Sequence, residues 1–147
     1  MINKTCCIFG QASLSFRIRE RVFELMYGQV GMLIKDGYTN FIFGSWGDFD
    51  TTARIAVISH KHQNPKVKTV YYQASHTGDT ERLLQKYDEV IPPIQDRQQN
   101  AHVYRDQYIV AQSDYCIFYV TNKTGDARKA MDYAIAQNKP FINLADL

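Results

Sequence analysis

The chain has 147 residues, 45% hydrophobic and 22% charged, with a formal net charge of +2, which fits one folded domain and not a disordered or fibrous segment. So small a charge, with no block of like sign, gives no nucleic-acid footprint, and no apolar run reaches about 18 residues, so neither nucleic acid nor a bilayer is expected as a partner. The opening MINKTCCIFG is too short for a secretory signal, and three cysteines, two of them adjacent, do not make a disulfide framework, so a cytoplasmic protein with buried, reduced thiols is expected.

KTCCIFG (4–10) reads as a first strand that stops at Gly10. Cys6 and Cys7 alternate across it and cannot hold one metal together. From Phe16 to Ile34 the apolar positions Ile18, Val22, Leu25, Met26, Val30 and Leu33 recur at helical steps, and Gly37 is the expected residue just past the helix end. TNFIFG (39–44) is a second strand and DFDTTARIAVISHKH (48–62) a second helix, with Asp48 or Asp50 near its cap. VKTVYYQ (67–73) is a third strand after the break at Pro65. A short helix within 77–88 leads to an extended EVIPP, and 96–114 is a fourth helix. YCIFYV (115–120) is nearly all apolar, as a central strand buried on both faces should be. GDARKAMDYAIAQNK (125–139) is a last helix with a small-residue face at Ala127, Ala130, Met131 and Ala134, and PFINL (140–144) a last strand. Alternating strands and helices predict one doubly wound α/β domain over 1–147, a mostly parallel sheet of about five strands with helices on both faces.

In such a sheet ligands sit beyond the carboxyl ends of the strands, where the chain order reverses. Four junctions there are rich in small and polar residues: FGQASLS (9–15), FGSWGDFD (43–50), YQASHTGD (72–79) and YVTNKTGD (119–126). They supply Gly10, Gln11, Ser13, Gly44, Ser45, Trp46, Gly47, Thr121, Asn122, Gly125 and Asp126 as candidate ligand-binding residues. Glycine lets backbone approach a ligand, and helix N-termini favour an anionic group such as phosphate. Asp48 and Asp50 either complement the dipole of the helix they begin or accept hydrogen bonds from ribose hydroxyls. Trp46 either stacks on a base or covers the sheet end. Arg105, flanked by Tyr104 and Tyr108, reaches a phosphate from the cleft wall or pairs with Asp106 or a surface acid. Neither a dinucleotide fingerprint nor a P-loop occurs, and no cofactor, metal or catalytic set is assigned.

CCIFG on the first strand, FIFGSWGDFD on the second, and YRDQYIVAQSDYCIFYV with TGDARKAMDYAIAQNKPFINL at the end resemble the SLOG superfamily, in its YpsA-like branch of small Rossmann-like proteins. That resemblance implies a pocket for nucleotide-derived ligands, with a role in it for Gly10, Gly44, Gly47, Asp48, Asp50, Arg105 and Gly125. It departs where YpsA-like proteins have a His-Arg pair after the first glycine, here Gln11-Ala12-Ser13, and where they have a Gly-Gly pair, here Gly125-Asp126. The related lonely-guy phosphoribohydrolases carry a glutamate in the last helix. Ala130 stands near that position, and Asp126 is one methylene shorter than glutamate. Cleaving an N-glycosidic bond needs such a carboxylate.

The expected function is therefore binding of an ADP-ribose-like or cyclic-nucleotide ligand without turnover, as a sensor, sequestering or regulatory protein. The alternatives are a nucleotide N-glycosidic hydrolase or transferase built on Asp48, Asp50 and Asp126, and a protein-interaction module with a vestigial pocket. Self-association into a homo-oligomer is expected through the small face of the last helix and the Gly28/Gly31 pair.

Overall fold

Every strand among the described residues runs parallel to its neighbours, in the order β4-β3-β2-β1-β5-β6. The computed structural model describes residues 3–76, 78–94 and 99–147. Its strands are β1 (Lys4–Gly10), β2 (Tyr38–Phe43), β3 (Lys68–Tyr72), β4 (Glu89–Ile91), β5 (Tyr115–Tyr119) and β6 (Phe141–Asn143). Its helices are α1 (Phe16–Lys35), α2 (Asp48–Lys61), α3 (Thr80–Leu84), α4 (Ala101–Gln112) and α5 (Asp126–Ala136), followed by a 3-10 turn over Leu144–Asp146. The expected α/β class holds, with six strands in place of about five because the extended EVIPP pairs with β3, Tyr71 opposite Val90. The expected start of the fourth helix at 96 lies partly outside the described residues, and α4 begins at Ala101.

The helix stripes divide between the two faces as their apolar spacing requires. Val22, Met26, Val30 and Leu33 of α1 join Phe49, Ala53, Ala56 and Val57 of α2 over Cys6, Ile8, Phe41 and Phe43. On the opposite face Ile109 and Val110 of α4 join Ala130, Met131 and Ala134 of α5 over Cys7, Phe9, Cys116 and Phe118. Adjacent strand residues thus enter different cores, and Cys6 and Cys7 do so as free, buried thiols beside the buried Cys116. The small face of α5 is spent on this internal packing and Gly31 backs onto the His60 ring, while Gly28 stays exposed. Among the described residues no helix is long and apolar enough to cross a membrane.

The chain winds outward from β1 through β2, β3 and β4, then returns to add β5 and β6 on the other side of β1. The order therefore reverses between β1 and β5. Their ends are tied together there: Gln11 donates its backbone N–H to the Tyr119 carbonyl at 3.1 Å, and its side-chain Oε1 accepts from Thr121 N–H and Oγ1, both at 3.0 Å. Asn143 performs the same service for β6, its side-chain amide exchanging two 3.0 Å hydrogen bonds with the backbone of Val120.

Candidate functional site

At this reversal the strand-end loops open into a cleft of about 620 Å³. Gly10, Gln11, Gly44, Ser45, Trp46, Asn122, Gly125 and Asp126 line it together with Arg105 from α4. Ser13, Gly47, Asp48, Asp50 and Thr121 are not part of that lining.

Two of the glycines make room for protein side chains. A Cβ on Gly10 would lie 2.4 Å from the Phe49 ring, and one on Gly44 would lie 3.0 Å from both Arg105 Nε and Ile109 Cδ1. Gly10 thus lets Phe49, the second residue of α2, lie flat across the end of β1 and stack on Tyr119 with centroids 6.0 Å apart. Gly10→Ala is expected to destabilise the fold by about 1–3 kcal/mol, with partial recovery in the Phe49→Leu background, as read by chemical denaturation. Equal losses in both backgrounds would show that the ring contact is not the cause.

Gly47 has a φ of 139°, and its backbone passes so close to the β1–α1 loop that a Cβ would meet the Ala12 carbonyl oxygen at 2.9 Å. That carbonyl accepts the first two amides of α2, from Asp48 at 2.8 Å and Phe49 at 3.3 Å. A helix N-terminus attracts anions through its free N–H groups. Here the protein's own oxygen occupies the position. Asp48 completes the clamp: its Oδ2 accepts the Leu14 N–H at 3.3 Å and pairs with Arg19 at 3.0 Å. Asp48 therefore holds the 11–15 loop onto α2 and does not face the cleft.

The N-terminus of α5 is arranged differently. Gly125, at φ 101°, supplies no side-chain cap, and a Cβ there would meet nothing within 4 Å. Asp126, Ala127 and Arg128 of this first turn line the cleft, so this end is open to a ligand. Arg128 is steadied by its own loop, Nε donating to the Asn122 carbonyl at 2.9 Å. Across the mouth His102 of α4 stands 3.4 Å from Asp126.

The cleft floor holds a buried cluster of charges. Arg105 presents Nε and Nη2 to one oxygen of Asp106, both at 2.9 Å, and the two side chains are about nine-tenths buried. Asp50 is 2% exposed, and Ser45 Oγ lies within reach of both its oxygens, at 3.1 and 3.0 Å. Burial pushes the Asp50 carboxyl up to about 7, outweighing the Ser45 hydrogen bond and the Arg105 charge, which pull it down. Burial likewise raises Asp106 to about 6, against the pull of Arg105. Two carboxyls able to hold or release a proton near neutrality thus flank one guanidinium. Perturbed groups in a cleft mark functional sites more often than surface ion pairs do.

Sequence reasoning missed Asp106, His102, Gln73 and Arg128 as members of the site. For Asp106 a signal existed: it lies three and four residues before Ile109 and Val110, in register with the buried stripe of α4. Around the cleft Arg105 and Arg128 face Asp79, Asp106 and Asp126, so its charge is close to balanced and not basic.

No family model and no curated protein matches the chain. Solved structures do. DNA processing protein A (DprA) from Streptococcus pneumoniae is similar with a TM-score of 0.69 at 14% identity, covering 95% of this chain and 49% of its own. DprA from Helicobacter pylori, whose structure is described for its single-stranded DNA binding mode, has a TM-score of 0.64 at 14% identity over 94% of this chain and 63% of its own. The structural-genomics protein TM1055 has a TM-score of 0.65 at 12% identity over 94% of this chain and 72% of its own. The chain spans about half to two thirds of the DprA chains it resembles. At these identities the likeness establishes the Rossmann-like fold expected from the SLOG resemblance. It also overturns the exclusion of nucleic acid: a protein of this fold binds single-stranded DNA. The physical reason is that a near-neutral net charge argues only against charge-driven binding, whereas a single strand is also held by base stacking.

Proposed function

We propose that the cleft at the β1/β5 reversal binds a nucleotide-derived small molecule, with the protein acting as a YpsA-like sensor, sequestering or regulatory protein. The observation that carries this reading is the open first turn of α5, beside Arg128, on the same cleft as the buried Arg105 and the 82% exposed Trp46. An anionic group fits the α5 end through its amides and dipole. Ribose hydroxyls fit the Asp106 and Gln73 side chains, and a base fits the exposed Trp46 face. The cleft volume lies within the range of about 300–1,000 Å³ usual for small-ligand sites.

Thermal unfolding with AMP, ADP-ribose and cyclic nucleotides at millimolar concentration tests this. A ligand at 100 times its Kd adds about 2.7 kcal/mol of stability. The shift should vanish in Trp46→Ala combined with Arg128→Ala, both surface changes that leave the core intact. No shift with any of the compounds overturns the reading.

A second reading is favoured by the likeness to the DprA structures: the cleft holds a nucleotide unit of single-stranded DNA. Binding would then rest on stacking more than on phosphate contacts and depend weakly on salt. Fluorescence anisotropy of labelled oligodeoxynucleotides across a salt series separates the two readings.

A further inference from the structure

We propose that the cleft takes a ligand with two planar bases joined through one ribose–phosphate linkage, one base on Trp46 and the other on a tyrosine shelf beside α4. This rests on the nucleotide reading of the same cleft.

The shelf is a second hollow, of about 50 Å³, that shares Gln73, Ala74, Ala101 and Arg105 with the cleft. Its remaining walls are Ile94, Tyr104 and Tyr108. Ala101, Tyr104, Arg105 and Tyr108 recur at helical steps of three and four, so one stripe of α4 carries both tyrosines and the cleft-floor arginine. Arg105 thus stands on the boundary between the two hollows. Tyr104 and Tyr108 are each about 40% exposed. Behind Tyr108 lies the Tyr72 ring, centroids 6.1 Å apart, and the Tyr72 hydroxyl donates to Gln112 Oε1 at 3.2 Å. The Tyr108 ring is therefore braced from the β3 side while its other side stays wet.

Exposed aromatic rings on a polar cleft and on the hollow that adjoins it are what successive bases stack on. A mononucleotide uses one platform, and a two-base ligand uses both. The charge balance of the cleft agrees. A single phosphodiester brings one negative charge, which a lining of two arginines and three aspartates tolerates better than a polyphosphate. A free dinucleotide and a short stretch of single strand share this chemistry.

Trp46 is the only tryptophan, so quenching of intrinsic fluorescence reports stacking on it, and calorimetry supplies affinity. The intact protein is titrated with AMP, the linear dinucleotide ApA, and a twelve-residue oligodeoxyadenylate. ApA is expected to bind about tenfold or more tighter than AMP. Tyr108→Ala should bring ApA down to the affinity of AMP, and Tyr108→Phe, which keeps the ring, should retain the advantage. An oligomer no tighter than ApA identifies a free dinucleotide as the ligand, and a further gain identifies a strand; either result upholds the two-base site. ApA binding no tighter than AMP, or Tyr108→Ala weakening both equally, overturns it and leaves the nucleotide reading standing. If AMP and ApA both fail to bind, the two-base site falls, and the nucleotide reading falls with it only when ADP-ribose and the cyclic nucleotides fail as well.

Discussion

Replacing Arg105 by alanine is expected to destabilise the protein by about 3–5 kcal/mol and to abolish ligand-induced stabilisation. The first effect follows from burial. Arg105 and Asp106 are about nine-tenths buried and paired at 2.9 Å, so removing one partner leaves the other desolvated without compensation. The loss should depend on pH. Arg105 is the strongest influence holding Asp106 down, so without it the Asp106 carboxyl rises above its present value of about 6. A carboxyl whose folded pKa lies above its unfolded value stabilises the fold at low pH and loses that contribution as pH rises through the folded pKa. The variant should therefore lose more at pH 8 than at pH 5.5, where Asp106 is protonated and needs no partner. Denaturant titrations at both values check this; an equal loss would mean that the cavity, not the orphaned charge, sets the cost. Arg105→Met with Asp106→Leu separates stability from binding. The apolar pair fills the space and should recover most of the stability, because buried ion pairs are often replaceable by packed hydrophobic side chains. Ligand-induced stabilisation should stay absent.

Much of the fold is written in apolar periodicity, and the site is written less plainly. The stripe predicted for α1 is buried at Val22, Met26, Val30 and Leu33, with Leu25 half-buried against the same core and Ile18 40% exposed in the first turn. β5 could be recognised as central because YCIFYV is nearly all apolar, and it does lie between β1 and β6. β4 has three residues and is followed by Pro92 and Pro93, too short a run for any period to show. In the site, loop composition located the cleft but not the work of each residue. Gly10 and Gly44 looked like backbone approaches to a ligand, yet the partners they accommodate, Phe49 and Arg105, come from helices distant in sequence. Asp48 and Asp50 were equivalent as acids at a helix start. What separates them is the face of the first turn: Asp50 lies three before Ala53 and seven before Val57, in the buried stripe, and Asp48 does not. Asp106 repeats that pattern on α4, so an acid in register with an apolar stripe was the legible sign of the buried cluster.

That cluster makes stability and binding depend on pH in a direction set by Asp50. Its carboxyl rises from the ordinary 3.8 to about 7 because burial outweighs Ser45 and Arg105. Between these values the folded protein holds a proton that the unfolded chain has released. The stabilising contribution is complete below about pH 4 and is lost as pH climbs to about 7, a change of up to about 4 kcal/mol. Asp50→Asn keeps the shape and an oxygen for the Ser45 hydroxyl but cannot ionise. Its stability should match that of the parent below about pH 4 and exceed it increasingly toward pH 8, and the slope of stability against pH should flatten. A variant as steeply dependent on pH as the parent would place the titration elsewhere. The same field couples the proton to the ligand. An anion at Arg105 offsets part of the positive charge that holds Asp50 and Asp106 down, so binding it raises both carboxyls and draws in protons. Affinity for an anionic ligand should then strengthen as pH falls from 8 to 6, and calorimetry in buffers of different ionisation enthalpy should record proton uptake. In Asp50→Asn that uptake should shrink to the share carried by Asp106.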